Sequence, residues 1–362
     1  MNQCVMKKVA IICTQGVPAC YGGFESLVEN IIGENCSPDI EYTVYCSGKD
    51  MTKTKHLTTY KGAKLKYVNI HANGMQSIPY DIVSMMRSIW GYDVIMVLGT
   101  SGCSFLPIFR LFNRKRLVIN IDGLEHRREK WGKLARWVLR TSEAIAVRYA
   151  DVVVADNKGI QDYVKETYGK DAALIAYGGD HAIRNIDEAK QLEVLKKYNV
   201  ERGNYAITVC RIEPENNCHQ TLEAFAKSDK RLIFIGNWEH SNYGKELKEK
   251  YSSVPNISIV DPVYDLDTLH CLRSNAGYYI HGHSAGGTNP SLVEAMFFGC
   301  PILCYDVVYN RETTNHEAYY WKNADELLQL LKRTDLNGKP MVDFATTHYT
   351  WKRIAKQYEA LY

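Results

Sequence analysis

Short runs rich in Val and Ile alternate with segments of helical length along the whole of this 362-residue chain. No other feature restricts the fold so strongly. In the first half the runs cover residues 9–13, 42–46, 65–70, 94–98, 117–121, 152–155 and 172–176. In the second half they cover 205–210, 232–236, 257–260, 277–281 and 301–305. Segments such as 221–225 and 266–272 between them have helical apolar spacing. Near-continuous apolar strands are buried on both faces, and strands separated by helices are joined by right-handed crossovers. The pattern predicts an α/β protein built from doubly wound parallel sheets with helices on both sides.

A chain of this length divides comfortably into two domains, each able to bury a core. Tyr177-Gly178-Gly179-Asp180-His181 follows a strand and precedes a charged helical stretch at 185–197. It marks the predicted boundary, with one domain over 1–181 and a second over 182–345. Residues 346–362 form a helical pattern with Trp351, Ile354 and Tyr358 on one side, expected to cross back onto the first domain. Ligands of such sheets bind at the carboxyl ends of the strands, so the site is expected in the cleft between the two domains.

The net charge of +3 demands no nucleic-acid partner. No apolar run is long enough to span a bilayer, and the amino terminus reads as a first strand rather than a signal peptide. The eleven cysteines include no C-x-x-C pair, and Cys13, Cys46 and Cys210 sit inside apolar strands. That usage suits reduced cytosolic thiols. Cys300 and Cys304 have no His partner at zinc spacing, so no metal site is expected.

Chemistry concentrates where strands end. The run from His281 to Met296 leads from a strand through Gly286, Gly287 and Thr288 into a helix. Asn289 suits the N-cap and Pro290 the first helical position. Backbone N–H groups of Gly287, Thr288 and the first helical turn are expected to converge on one anion, best a phosphate. Glu294, in the second turn, either complements the helix dipole or accepts from two vicinal ribose hydroxyls. Arg211 ends the strand at 205–210 and starts a loop containing Glu213, Glu215 and Asn216. Its planar fork suits a diphosphate; the plain alternative is a surface pair with Glu213 or Glu215.

In the first half, the loop from Thr14 to Glu25 carries Gly22 and Gly23 and opens a helix. It is not G-x-G-x-x-G, and no acidic residue closes the second strand, so a dinucleotide site fails on two counts. Either the glycines serve a ligand or they only form a tight turn. Asp122, Glu125 and His126 cluster at another strand end, with Asp122 the choice for the reacting centre. Between Arg127 and Arg140 six basic residues stand against one acid. Lys133, Arg136 and Arg140 share one helical face, and Trp131, Leu134 and Val138 another. With the aromatic, basic segment at 105–116, this suits docking on an anionic membrane. The plain alternative is a solvated helix with its Trp in the core.

These motifs together resemble retaining glycosyltransferases of family 4 with the GT-B fold, and more closely bacterial rhamnosyltransferases for capsular and exopolysaccharide assembly. The resemblance rests on five ordered motifs: Thr14–Glu25, Ile121–Glu125, Tyr177–His181, Cys210–Asn217 and His281–Met296. It implies two Rossmann-like domains facing across a cleft. It implies a retaining, metal-independent transferase with no cofactor beyond its nucleotide-sugar donor. The best-fitting donor is dTDP-rhamnose, with L-rhamnose moved in a β1,4-type linkage onto a lipid-linked glycan. That places the protein in the cytoplasm, peripheral at the inner face of the plasma membrane. Glu294 matches the second carboxylate of an E-x7-E motif, which holds the donor ribose. Arg211 matches the arginine that neutralises the diphosphate. Gly22 and Gly23 match the loop near the donor phosphates, and Asp122 falls where many members carry a histidine beside the donor sugar. The chain departs from the pattern at Gly286, in place of the first carboxylate, and at Asn216, in place of a lysine. Another nucleotide-hexose donor, an epimerase on the same fold, or a non-catalytic nucleotide-sugar binding protein are the alternatives.

Overall fold

A computed structural model describes residues 6–362 apart from 21, 55, 122, 125 and 127–131, with the side chain of Met75 also left out. The chain separates into two units, one of residues 1–177 and 351–362 and one of residues 178–350.

The first unit alternates strand and helix: β1 (Lys7–Ile12), α1 (Gly23–Glu34), β2 (Ile40–Ser47), β3 (Thr59–Tyr60), β4 (Ala63–Val68), α2 (Ser77–Arg87), β5 (Val94–Leu98), α3 (Leu106–Phe112), β6 (Arg116–Asn120), α4 (Lys133–Tyr149), β7 (Val152–Ala155), α5 (Lys158–Tyr168) and β8 (Ala172–Leu174). The sheet order is β3-β4-β2-β1-β5-β6-β7-β8, parallel except for the short antiparallel β3. Every residue of β5 is buried, as a central strand covered by helices on both faces must be.

The second unit runs α6 (Glu188–Lys197), β9 (Tyr205–Val209), α7 (Cys218–Ala226), β10 (Arg231–Ile235), α8 (Asn242–Tyr251), β11 (Ile257–Val260), α9 (Leu266–Ser274), β12 (Tyr278–His281), α10 (Pro290–Met296), β13 (Ile302–Tyr305), α11 (Val308–Thr313), β14 (Tyr319–Trp321), α12 (Ala324–Leu331) and α13 (Lys339–His348). Its six strands are all parallel, in the order β11-β10-β9-β12-β13-β14. The final helix, α14 (Trp351–Glu359), belongs to the first unit. It buries Trp351, Ile354 and Tyr358 in the cluster that also holds Leu27, Val28 and Ile31 of α1. Buried Asn120, at the end of β6, donates to the Tyr358 hydroxyl at 2.8 Å.

The strands follow the apolar runs closely. The sequence pattern misses β3 and β14, two or three residues long and too short for periodicity to register.

Candidate functional site

In the second unit β9 and β12 lie side by side, with Ala206 paired to Tyr278 and Ile207 to Tyr279. The chain leaves β9 towards β10 on one side and leaves β12 towards β13 on the other. Their carboxyl ends therefore flank a topological switch point, where connections diverge and leave a crevice for a ligand. The loop after β9 contains Arg211, and the loop after β12 contains Gly286, Gly287, Thr288 and Asn289.

Hydrogen bonds lock these two loops together. The amide and hydroxyl of Ser284 both donate to the Glu215 carbonyl, at 2.9 and 2.8 Å. The Asn217 side chain donates to the Gly282 carbonyl at 2.8 Å. Asn216 is buried, and its side-chain NH2 donates to the Arg211 carbonyl at 2.7 Å. That amide braces the backbone of Arg211 from within the loop. The Arg211 guanidinium itself stays 43% exposed and meets Glu213 only at 3.7 Å. So loose an exposed pair contributes little and leaves the fork open to a better anion.

The second loop turns at Gly286, whose φ of 112° is a conformation that glycine tolerates and side chains rarely adopt. A carboxylate-bearing residue at this position would strain the turn, so the glycine here has a local backbone reason. Asn289 caps α10 through its side-chain oxygen, which accepts from the Ser291 amide at 3.0 Å and the Ser291 hydroxyl at 2.7 Å. The Leu292 and Val293 amides bond back to the Asn289 carbonyl, both at 3.1 Å. This corrects the expectation that the first helical turn offers its amides to an anion. Pro290 has no N–H, and the next three amides already have partners inside the protein. Among the described residues, the Gly286 and Gly287 amides donate to no protein group. They are among the donors left for an anion.

Glu294 does not stand alone behind this loop. Its Oε2 meets Nη1 of Arg273 at 2.7 Å, with the two side chains 17% and 6% exposed. Its Oε1 lies 3.4 Å from Nε2 of His181. Burial pushes the carboxyl pKa up, but the Arg273 charge and the His181 contact outweigh it and bring the value down to about 2. Glu294 is therefore an anion throughout the physiological range. Gly179 permits this arrangement: a Cβ there would sit 2.9 Å from the backbone C and O of Val293. Gly179 thus lays its backbone directly on α10, and His181 reaches the carboxylate. Sequence reasoning missed Arg273, whose place near the end of α9 reads as an ordinary basic residue favouring the helix dipole.

Below the loop, Tyr279 and His281 of β12 and His283 beyond it line one face, as alternate residues of an extended chain do. The rings of His281 and His283 stack at 4.3 Å with planes 11° apart. His281 is buried, its Nε2 has no hydrogen-bond partner, and burial lowers its pKa to about 3.

In the first unit Gly22 and Gly23 stand at the start of α1, with Gly22 in the N-cap position. The preceding loop is tied to that helix: Oε1 of Glu25 accepts from the Thr14 hydroxyl at 2.9 Å and the Gln15 amide at 2.8 Å. The Tyr80 hydroxyl donates to the Thr14 carbonyl at 2.7 Å. Asp122 and Glu125 lie outside the described residues. His126 beyond them donates through Nδ1 to buried Glu143 at 3.1 Å, and Glu143 also accepts from Tyr163 and Tyr168.

Residues 187–339 match the family model described as Glycosyl transferases group 1. Residues 6–180 match a domain of unknown function, DUF1972. The chain thus carries a glycosyl transferases group 1 domain behind a DUF1972 domain. No curated protein matches the sequence. Among solved structures, sucrose-phosphate synthase (tll1590) from Thermosynechococcus elongatus is similar with a TM-score of 0.82, at 14% identity over 98% of each chain. Anabaena Alr3699/HepE in complex with UDP-glucose gives 0.76, at 15% identity over 98% of this chain and 99% of that one. A glycosyltransferase from Rickettsia africae ESF-5 gives 0.72, at 14% identity over 98% and 97%. The fold is that of GT-B glycosyltransferases, with two Rossmann-like parallel-sheet domains.

Proposed function

We propose that the second unit binds a nucleotide-sugar donor at the junction of its β9 and β12 loops, and that the chain transfers the sugar with retention onto a lipid-linked glycan. The observation that carries this reading is the cross-linking of the Arg211 loop, through Glu215 and Asn217, to Ser284 and Gly282 of the loop that carries Gly286–Asn289. The UDP-glucose complex of the similar Anabaena protein agrees with a nucleotide-sugar ligand. The donor we favour is dTDP-rhamnose, transferred in a β1,4-type linkage for cell-surface polysaccharide, on the strength of the sequence resemblance. The enzyme works at the inner, anionic face of the plasma membrane, where such an acceptor is held.

Breaking the glycosidic bond leaves negative charge on the departing diphosphate. Arg211 and the Gly286 and Gly287 amides supply fixed positive ends to that charge without reorganising. Glu294, held ionised by Arg273, has lone pairs left to accept from the ribose hydroxyls. The departing phosphate oxygen takes the acceptor proton on the same face, which needs no protein nucleophile. Gly22, Gly23 and Asp122 take the donor-side roles that the resemblance implies.

Incubating the purified protein with radiolabelled dTDP-rhamnose and a lipid-linked acceptor tests the assignment. Label should enter the lipid fraction, with EDTA present and without it. Transfer from UDP-glucose instead would replace the donor. Tight donor binding with no transfer would favour a binding protein, and turnover of donor alone an epimerase.

A further inference from the structure

The front of α4 departs from the burial expected of a crossover helix. Nothing from Lys133 to Thr141 is buried, whereas Ser142, Glu143, Ala146 and Val147 further on are. Leu134 is 76% exposed and Trp137 64%. Trp131, the tryptophan on the predicted apolar face, lies outside the described residues, so the alternative with that side chain in the core stays open. Leu134 and Trp137, three residues apart, share a face. Lys133 and Arg140 are exposed beside them, Arg136 is half-buried, and no acid occurs between Gly132 and Ser142.

The neighbouring helix continues the pattern. The Ser104 amide donates to the Ser142 hydroxyl at 3.1 Å, and Arg110 donates to the Tyr149 carbonyl at 2.7 Å. α3 and the rear of α4 therefore run side by side in one direction. The front of α4 extends about 13 Å past the start of α3, at 1.5 Å per residue. Ile108, Leu111 and Phe112 of α3 are all more than half exposed. Arg114, Lys115 and Arg116 follow them, with Lys115 meeting Asp93 at 3.4 Å. On the front of α4, large apolar side chains at helical spacing, interleaved with cations and with no acid between Gly132 and Ser142, match the two layers of an anionic bilayer surface. A protein partner would need acidic and apolar groups in the same register; a phospholipid interface supplies both everywhere. No helix among the described residues is long and apolar enough to cross a membrane.

We propose that the α3–α4 pair inserts into an anionic phospholipid surface. Leu134 and Trp137 sit below the headgroups, and the exposed Lys133 and Arg140 meet lipid phosphates. This rests on the reading that the acceptor is lipid-linked, but its chemistry is independent of donor binding. Because part of the attraction is apolar, adsorption weakens with salt without vanishing.

The test is co-sedimentation of the full chain with phosphatidylglycerol or phosphatidylcholine vesicles at low and high salt. The wild type should pellet with phosphatidylglycerol and keep part of that binding at high salt. Leu134→Gln with Trp137→Gln should weaken partitioning at least tenfold at both salt levels. Lys133→Glu with Arg140→Glu should abolish the preference for phosphatidylglycerol. All four positions are exposed, so circular dichroism and melting should match the wild type. Equal partitioning of wild type and Leu134→Gln/Trp137→Gln overturns the proposal. So does wild type that ignores both vesicles, or a chain that dimerises through this face in sedimentation velocity. A melting shift with nucleoside diphosphate, measured on the same variants, reports separately on the donor site.

Discussion

Nη1 of Arg273 lies 2.7 Å from Oε2 of Glu294, joining the end of α9 to the middle of α10 with both side chains largely out of water. Removing one partner of a buried pair leaves the other charge uncompensated. Arg273→Ala should destabilise the protein by about 3–5 kcal/mol, measured by urea denaturation. A loss below about 1 kcal/mol would mean that water screens the pair after all.

The same pair gives acid sensitivity. Glu294 is held at about 2, against an ordinary value of 4.5. A depressed carboxyl adds stability that is complete above pH 4.5 and disappears as pH falls towards 2. The stake is about 3 kcal/mol. Glu294→Gln should remove that part of the acid limb, and an unchanged limb would contradict the assignment.

His281 acts in a higher window. Burial holds it neutral, with its pKa lowered to about 3 against 6.5 when unfolded. The unfolded chain takes up a proton as pH drops below 6.5 and the folded protein does not. Stability should fall by about 1.4 kcal/mol per pH unit between pH 6 and 5 from this residue. His281→Gln should flatten the slope by that amount in stability curves taken at each pH. An unaltered slope would show that the folded imidazole titrates normally.

Gly179 touches the backbone of α10, which cannot move aside as a flexible side chain would. Gly179→Ala should cost about 1–3 kcal/mol and pull His181 away from Glu294. An unchanged melting temperature would show that this approach is looser than the geometry indicates.

The alternation of apolar runs and helical segments was enough to define two parallel sheets, because buried strands and crossover helices leave local patterns. Asn289 and Pro290 were legible for the same reason: capping is decided within three residues. What lay beyond the sequence was tertiary. Arg273 joins Glu294 only because α9 and α10 pack together, and no local signal marks it. The amides after Pro290 looked available until the Asn289 side chain and carbonyl proved to bond them. Trp137 lies on a stretch of α4, Lys133 to Thr141, in which no residue is buried, and which part of a helix is left uncovered is not encoded in its periodicity.

The central claim is that Arg211 and the Gly286–Gly287 amides grip a donor diphosphate. Calorimetric titration of dTDP, UDP and their sugar conjugates into wild type and Arg211→Ala tests it most directly. Arg211 is exposed and only loosely paired, so the variant should melt as the wild type does. Its affinity for one nucleoside diphosphate should fall at least tenfold, equal to about 1.4 kcal/mol. Equal affinity in the two proteins, or wild type that binds no nucleoside diphosphate, would contradict the account.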